Sequence, residues 1–128
     1  MKPKLIVSRP IYPDVIERLK ADFEVTAHQT DPEWTPQTWT QALSQHDGAL
    51  TMGIETVNEE VLAACPRLRI CANLSVGYNN FDVPAMTRHK VLATNAPDVL
   101  TETTADFGFA LLMAAARRVT ESERYIRE

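Results

Sequence analysis

The sequence predicts an α/β protein with a five-stranded parallel sheet, helices on both of its faces, and a C-terminal apolar helix. Two observations carry the sheet. Five short apolar or β-branched runs alternate with segments of helical periodicity, and the helical segments open on helix-start signals. Strands joined through helices pair in parallel and are covered on both faces. The third observation is the stretch from Phe107 to Ala116, which has no polar side chain and breaks the alternation.

Lys4 to Ser8 is the first strand-like run, and Val15, Ile16 and Leu19 follow at helical spacing, with Pro13 suited to a first turn. Phe23 to Ala27 alternates apolar and polar residues as a half-exposed edge strand does, and Thr35-Pro36 opens a helix through Trp39, Ala42 and Leu43. Gly48 to Met52 is the third strand. Thr56-Val57-Asn58-Glu59 has the spacing of a capping box ahead of Val61 to Ala64. Leu68 to Asn73 is the fourth strand, Asp82-Val83-Pro84 starts a short helix through Ala85 and Met86, and Val91 to Thr94 is the fifth strand. Right-handed crossovers give the flavodoxin-like strand order 2-1-3-4-5. Thr101-Glu102-Thr103-Thr104 caps the last helix, which runs to Arg117-Arg118. A helix apolar all round needs cover on every side, and its apolar run is too short to cross a bilayer. One sheet layer buries one face of it, so the other face calls for a second domain or a second subunit. A core helix of the same domain is the alternative.

At 128 residues the chain holds one domain and an appendage. Its apolar fraction of 45% and charged fraction of 23% are ordinary globular values, and a net charge of -4 without a basic stripe argues against a nucleic-acid partner. The start lacks the long apolar region of a signal peptide, so the expected compartment is the cytoplasm, with no membrane partner. Cys65 and Cys71 have neither CxxC spacing nor a histidine at a matching distance, so no metal site is expected and both read as reduced core thiols.

The candidate site is Leu74-Ser75-Val76-Gly77-Tyr78-Asn79-Asn80-Phe81-Asp82, between the fourth strand and the next helix. A glycine at position 77 permits positive φ or close approach of a ligand. Loops at the carboxyl ends of parallel strands bind small molecules, and successive backbone N–H groups can hold an anion. The stretch reads as a carboxylate or phosphate cradle or as a tight turn. Met52-Gly53 occupies the equivalent place after the third strand, where the glycine admits a ligand or only allows the turn. Arg9 lies just past the first strand, facing the binding edge or solvated in a loop. His28, His46 and His89 read as surface residues without a carboxylate partner. Ser8-Arg9-Pro10-Ile11 is neither a flavin phosphate turn nor the acidic pocket of a receiver. With glycines only at 48, 53, 77 and 108, no G-x-G-x-x-G fingerprint can be assembled.

Three motifs in order, Asn73 to Asp82, Val91 to Pro97 and Thr101 to Phe107, with Arg117-Arg118 behind them, resemble the D-isomer-specific 2-hydroxyacid dehydrogenases, in particular the group of glyoxylate/hydroxypyruvate and 2-ketogluconate reductases. The resemblance spans essentially the whole chain. It implies that residues 1–99 are the flavodoxin-like substrate-binding domain and that 100–128 are the interdomain and dimerisation helix at the start of a nucleotide-binding domain. It further implies that the backbone of Ser75, Val76 and Gly77 holds the carboxylate of a 2-oxo acid such as glyoxylate or hydroxypyruvate. By the same resemblance Met52 and Gly53 are expected to line that pocket and Thr104 to touch the cofactor, NADPH or NADH. The family's catalytic histidine, acidic partner and carbonyl-binding arginine lie downstream of Glu128, so no catalytic residue is expected here. Tight cofactor binding and hydride transfer are not expected of this chain alone. A homodimer through the 101–118 helix is expected. The reading from another class is a non-catalytic module that binds carboxylates or assembles through that helix.

Overall fold

Strands β1 (Lys4–Val7), β2 (Glu24–Ala27), β3 (Gly48–Thr51), β4 (Ile70–Asn73) and β5 (Leu92–Thr94) form one sheet in the order β2-β1-β3-β4-β5 in the computed structural model, which describes residues 1–30 and 33–128. All four pairings are parallel, and the order is the expected one. Helices α1 (Pro13–Lys20), α2 (Pro36–Leu43), α3 (Glu59–Ala64) and α4 (Val83–Arg88) make the connections.

Side chains alternate across a strand, and the two faces of this sheet are covered unequally. Ile6, Ala49 and Cys71, which stand in one row, join Trp39 and Leu43 of α2, Val61 and Leu62 of α3, and Ala85 and Met86 of α4 in a single buried cluster. Leu5, Val7 and Ile16 of α1 are buried outside that cluster. The step from β1 to β2 runs opposite to the other three, so a right-handed crossover puts α1 on the second face. There Leu50, Ile70 and Ala72 are only half-buried.

Local chemistry explains the helix starts. Thr35 accepts from the Thr38 amide in a reciprocal capping box, Asp82 accepts from the Ala85 amide, and prolines occupy the first turns of α1, α2 and α4. The expected cap at Thr56 is corrected to Asn58, whose Oδ1 accepts from the Val61 amide at 3.1 Å. Position 57 cannot enter the helix because its backbone is committed elsewhere. The Val57 N–H donates to Asn80 O at 2.8 Å and Val57 O accepts from the Asp82 N–H at 2.9 Å, a parallel bridge to Phe81.

The chain divides into two compact units, Met1–Ala96 and Pro97–Glu128. The second holds α5 (Thr101–Ala116) and α6 (Val119–Arg127). The expected Thr101–Thr104 cap is not formed as such. Leu100 is the N-cap without a side-chain bond, Thr101 is already helical, and the Thr103 hydroxyl donates to Leu100 O. Helix α6 was not anticipated; Arg118, at φ 50°, breaks the run, and its guanidinium pairs with Glu121 in the first turn of α6. None of the α5 residues is buried. Among the described residues, no helix is long and apolar enough to cross a membrane.

Candidate functional site

The loops that leave β3 and β4 start from Thr51 and Asn73, which stand opposite each other in the sheet and are both buried. Buried polar side chains must find partners, and these two bind the loops together. The Thr51 hydroxyl donates to Asn73 Oδ1. Asn73 Nδ2 donates to Asn80 Oδ1 at 2.8 Å and to Gly77 O at 3.3 Å, and Asn80 Nδ2 donates to Glu55 O at 2.9 Å.

Glu55 fastens the other side. Its carboxylate is buried and accepts from Arg9 Nε at 2.7 Å and from the Met52 N–H at 2.9 Å. Arg9 is therefore neither a solvated loop residue nor a free cation. It neutralises a buried carboxylate that ties β1 to the β3 loop. The Met52 amide is already engaged, so Met52 offers the site its exposed side chain.

Every carbonyl of the 75–77 loop is held. Ser75 O accepts from the Ala96 N–H at 3.0 Å, Val76 O from Asn95 Nδ2 at 2.7 Å, and Gly77 O from Ser75 Oγ at 2.8 Å as well as from Asn73. The N–H groups of Ser75, Val76 and Gly77 donate to no group among the described residues. The tied-back carbonyls leave three unengaged amides, and backbone N–H groups of this kind can donate to an anion without a charged side chain. Nothing lies within 4 Å of where a Gly77 side chain would begin. The positive φ expected as one option for Gly77 falls instead on Gly53, at +88°, where an added Cβ would sit 2.6 Å from Ser75 Oγ. The two glycines have different work: Gly53 lets the β3 loop pack on Ser75, and Gly77 leaves open space beside the unengaged amides.

Ser75, Val76, Gly77, Met52 and Gly53 thus lie on two adjoining loops, whereas Thr104 sits exposed on α5 in the second unit. The described residues do not fit a dinucleotide on their own, for they contain no glycine-rich phosphate turn, and the lone Thr104 hydroxyl cannot replace one. Among the described residues no three His, Cys, Asp or Glu side chains gather as metal ligands. A groove of about 800 Å³, lined in part by Trp34, Gln37, Ile54 and Asn58, lies along α2 and α3 and includes none of residues 75–77.

The histidines are not uniformly surface residues. His46 is buried, with Nδ1 2.8 Å from Ala42 O and Nε2 3.0 Å from the Thr26 hydroxyl, bracing a helix end against β2. His89 Nε2 lies 2.7 Å from Glu59 Oε1, while Arg88 binds the other oxygen. His89 first, then Arg88, hold the Glu59 carboxyl below its usual 4.5. This partner is 30 positions away and has no signature in local spacing. His28 meets Trp34 edge-on at 4.8 Å. Cys65 and Cys71 are free and buried, and burial pushes their thiols up to about 11 and about 12.

The sequence profile of D-isomer specific 2-hydroxyacid dehydrogenases, catalytic domain, matches residues 5–123. The chain belongs to that family. A glyoxylate reductase of Korarchaeum cryptofilum is 41% identical over 128 residues, which are 100% of this chain and 39% of that protein. The structure of a 2-hydroxyacid dehydrogenase from Ketogulonicigenium vulgare Y25 is matched at a TM-score of 0.74 and 27% identity, over 99% of this chain and 40% of that one. The structure of a D-lactate dehydrogenase from Aquifex aeolicus, complexed with NAD and lactic acid, is matched at a TM-score of 0.76 over 97% of this chain and 37% of that one, and at 20% identity it shows the shared fold. This member of the 2-hydroxyacid dehydrogenase family thus spans well under half the length of the curated relatives it matches.

Proposed function

We propose that this chain is the substrate-binding portion of an NAD(P)H-dependent oxidoreductase that reduces 2-oxo acids, such as glyoxylate or hydroxypyruvate, to D-2-hydroxy acids. The observation that carries the reading is the state of the 75–77 loop, with three carbonyls engaged and three amides unengaged. The N–H groups of Ser75, Val76 and Gly77 receive the carboxylate, and the missing side chain at Gly77 allows close approach. The side chain of Met52 and the backbone of Gly53 line the space beside it. In the whole protein a nicotinamide, with Thr104 as one of its contacts, supplies the hydride.

The described residues contain no glycine-rich dinucleotide turn, and no histidine stands on the 75–77 loop or at Met52-Gly53. The 128-residue chain is therefore expected to bind the acid and not reduce it. Titration of the ¹⁵N-labelled chain with glyoxylate should shift the Val76 and Gly77 amide resonances, and NADPH with glyoxylate should give no turnover. Unmoved amides would overturn the binding assignment, and turnover that survives repurification would overturn the inactivity.

A specific observation favours a second role, assembly into a homodimer through residues 101–118. Phe107, Phe109, Leu111 and Leu112 are all exposed on α5, an apolar surface of the kind that marks an interface. Light scattering should then give a dimer mass, and a monodisperse monomer at high concentration would exclude it.

A further inference from the structure

We infer that Asn95 is a positioning residue for carboxylate binding, acting by fixing the direction of the Gly77 N–H. The inference rests on the carboxylate reading of the 75–77 loop and adds to it the residue that sets the loop's geometry. In a trans peptide unit the C=O of one residue and the N–H of the next point in opposite directions, and no peptide bond among the described residues is cis. Whatever holds a carbonyl back therefore aims the following amide.

Applied along the loop, this rule separates three peptide planes. The Ala96 N–H on Ser75 O orients the Val76 amide, and the Ser75 and Asn73 side chains on Gly77 O orient the Tyr78 amide. The plane between Val76 and Gly77 is held by Asn95 Nδ2 on Val76 O at 2.7 Å. It is the one of the three whose holding bond comes from a single side chain. It also abuts a glycine, whose backbone freedom makes a flip of that plane easiest. With Asn95 in place, the Gly77 amide is set before a ligand arrives, which lowers the ordering cost of binding. Without it, that plane can turn its carbonyl toward the anion.

Asn95 is half-buried at the end of β5, outside the core cluster, so its replacement removes this bond without opening a core cavity. Asn95→Ala removes the donor, and Asn95→Asp keeps the shape while replacing the donor with an acceptor. The full 128-residue chain is titrated with glyoxylate while the Val76 and Gly77 amides are followed by ¹⁵N–¹H spectroscopy, and the melting temperature is recorded for each variant. Asn95→Ala should raise the Kd about tenfold, the size of one hydrogen bond's net contribution. Asn95→Asp should raise it at least as much. The ligand-induced shift at Gly77 should shrink more than that at Val76, the melting temperatures should fall by no more than the few degrees that one exposed hydrogen bond accounts for, and exposed Gln45→Ala, ahead of β3, should leave the Kd unchanged. A merely structural role would weaken the shifts of both amides alike, and that result would overturn the proposal. Ligand-induced shifts in the wild type with an unchanged Kd in both Asn95 variants would overturn the role of Asn95 alone. No shift at either amide in the wild type would overturn the carboxylate reading and this inference with it.

Discussion

Replacing Gly53 and Gly77 by alanine, one at a time, should separate the architecture of the site from its chemistry. At Gly53 the backbone sits at φ +88°, and an alanine methyl would lie 2.6 Å from Ser75 Oγ and 3.2 Å from Ser75 Cβ. A left-handed backbone costs an L-residue roughly 1–2 kcal/mol. Ser75 must also rotate away, giving up its 2.8 Å bond to Gly77 O, which contributes about 1 kcal/mol. The sum is about 2–3 kcal/mol, or a melting temperature lower by about 10–20 °C for a domain of this size. Gly77 has nothing within 4 Å and is not among the residues of positive φ. Gly77→Ala should therefore change stability by no more than about 0.5 kcal/mol, while its methyl group enters the space proposed for the carboxylate and weakens glyoxylate binding at least tenfold. Thermal melts by circular dichroism and the amide titration measure the two effects independently. The reasoning fails if Gly53→Ala melts with the wild type, or if Gly77→Ala retains full affinity for glyoxylate.

Titration supplies two more predictions. With their thiols pushed up to about 11 and about 12 by burial, Cys65 and Cys71 should resist iodoacetamide at pH 8 in the folded chain and both react in urea; because the folded state retains protons that the unfolded state releases, stability should decline as pH rises past the ordinary thiol value of 9.0. Asp47 is held below its ordinary 3.8 chiefly by the Lys4 N–H, 2.8 Å from Oδ2, and further by Arg67. Its stabilisation is complete above 3.8 and lost as pH falls through the lower folded value, so Asp47→Asn should flatten the fall in melting temperature below about pH 4, and an unaltered acid limb would refute this.

The fold was legible because its signals are local and agree with one another. Pro13, Thr35-Pro36 and Asp82 mark helix starts where the helices begin, and the alternation of elements leaves few ways to wind a parallel sheet. Thr56 misled for a reason of the opposite kind. The capping-box spacing is local, but Val57 is claimed by a bridge to Phe81, a contact that spacing does not encode. Arg9 and His89 were misread for the same reason, since their partners Glu55 and Glu59 lie 46 and 30 positions away. Asn73, Asn80 and Asn95 were visible only as letters of motifs. The signal that could have singled out Asn73 is a primary amide at the end of an apolar strand, since a polar side chain entering a core needs partners there.

Those asparagines also bear on how the proposed site divides its labour. A carboxylate received by backbone amides is recognised through two oxygens that every 2-oxo acid shares, so in the proposed role the 75–77 loop would select a class of compound and not one member of it. Its rigidity comes from behind, through Asn73, Ser75, Asn95 and the Ala96 amide on the carbonyls, and changing a ligand's tail leaves those bonds untouched. Discrimination between a short acid and a longer one must then arise where side chains meet the tail. On these two loops the exposed apolar or aromatic side chains are Met52, Ile54, Leu74, Val76 and Tyr78, and Met52 is the flexible one beside Gly53. A flexible thioether fills irregular space and adapts to different tails. Substituting Met52 should therefore change the ranking of 2-oxo acids and leave their shared affinity for the amides in place, the reverse of what Asn95→Ala does.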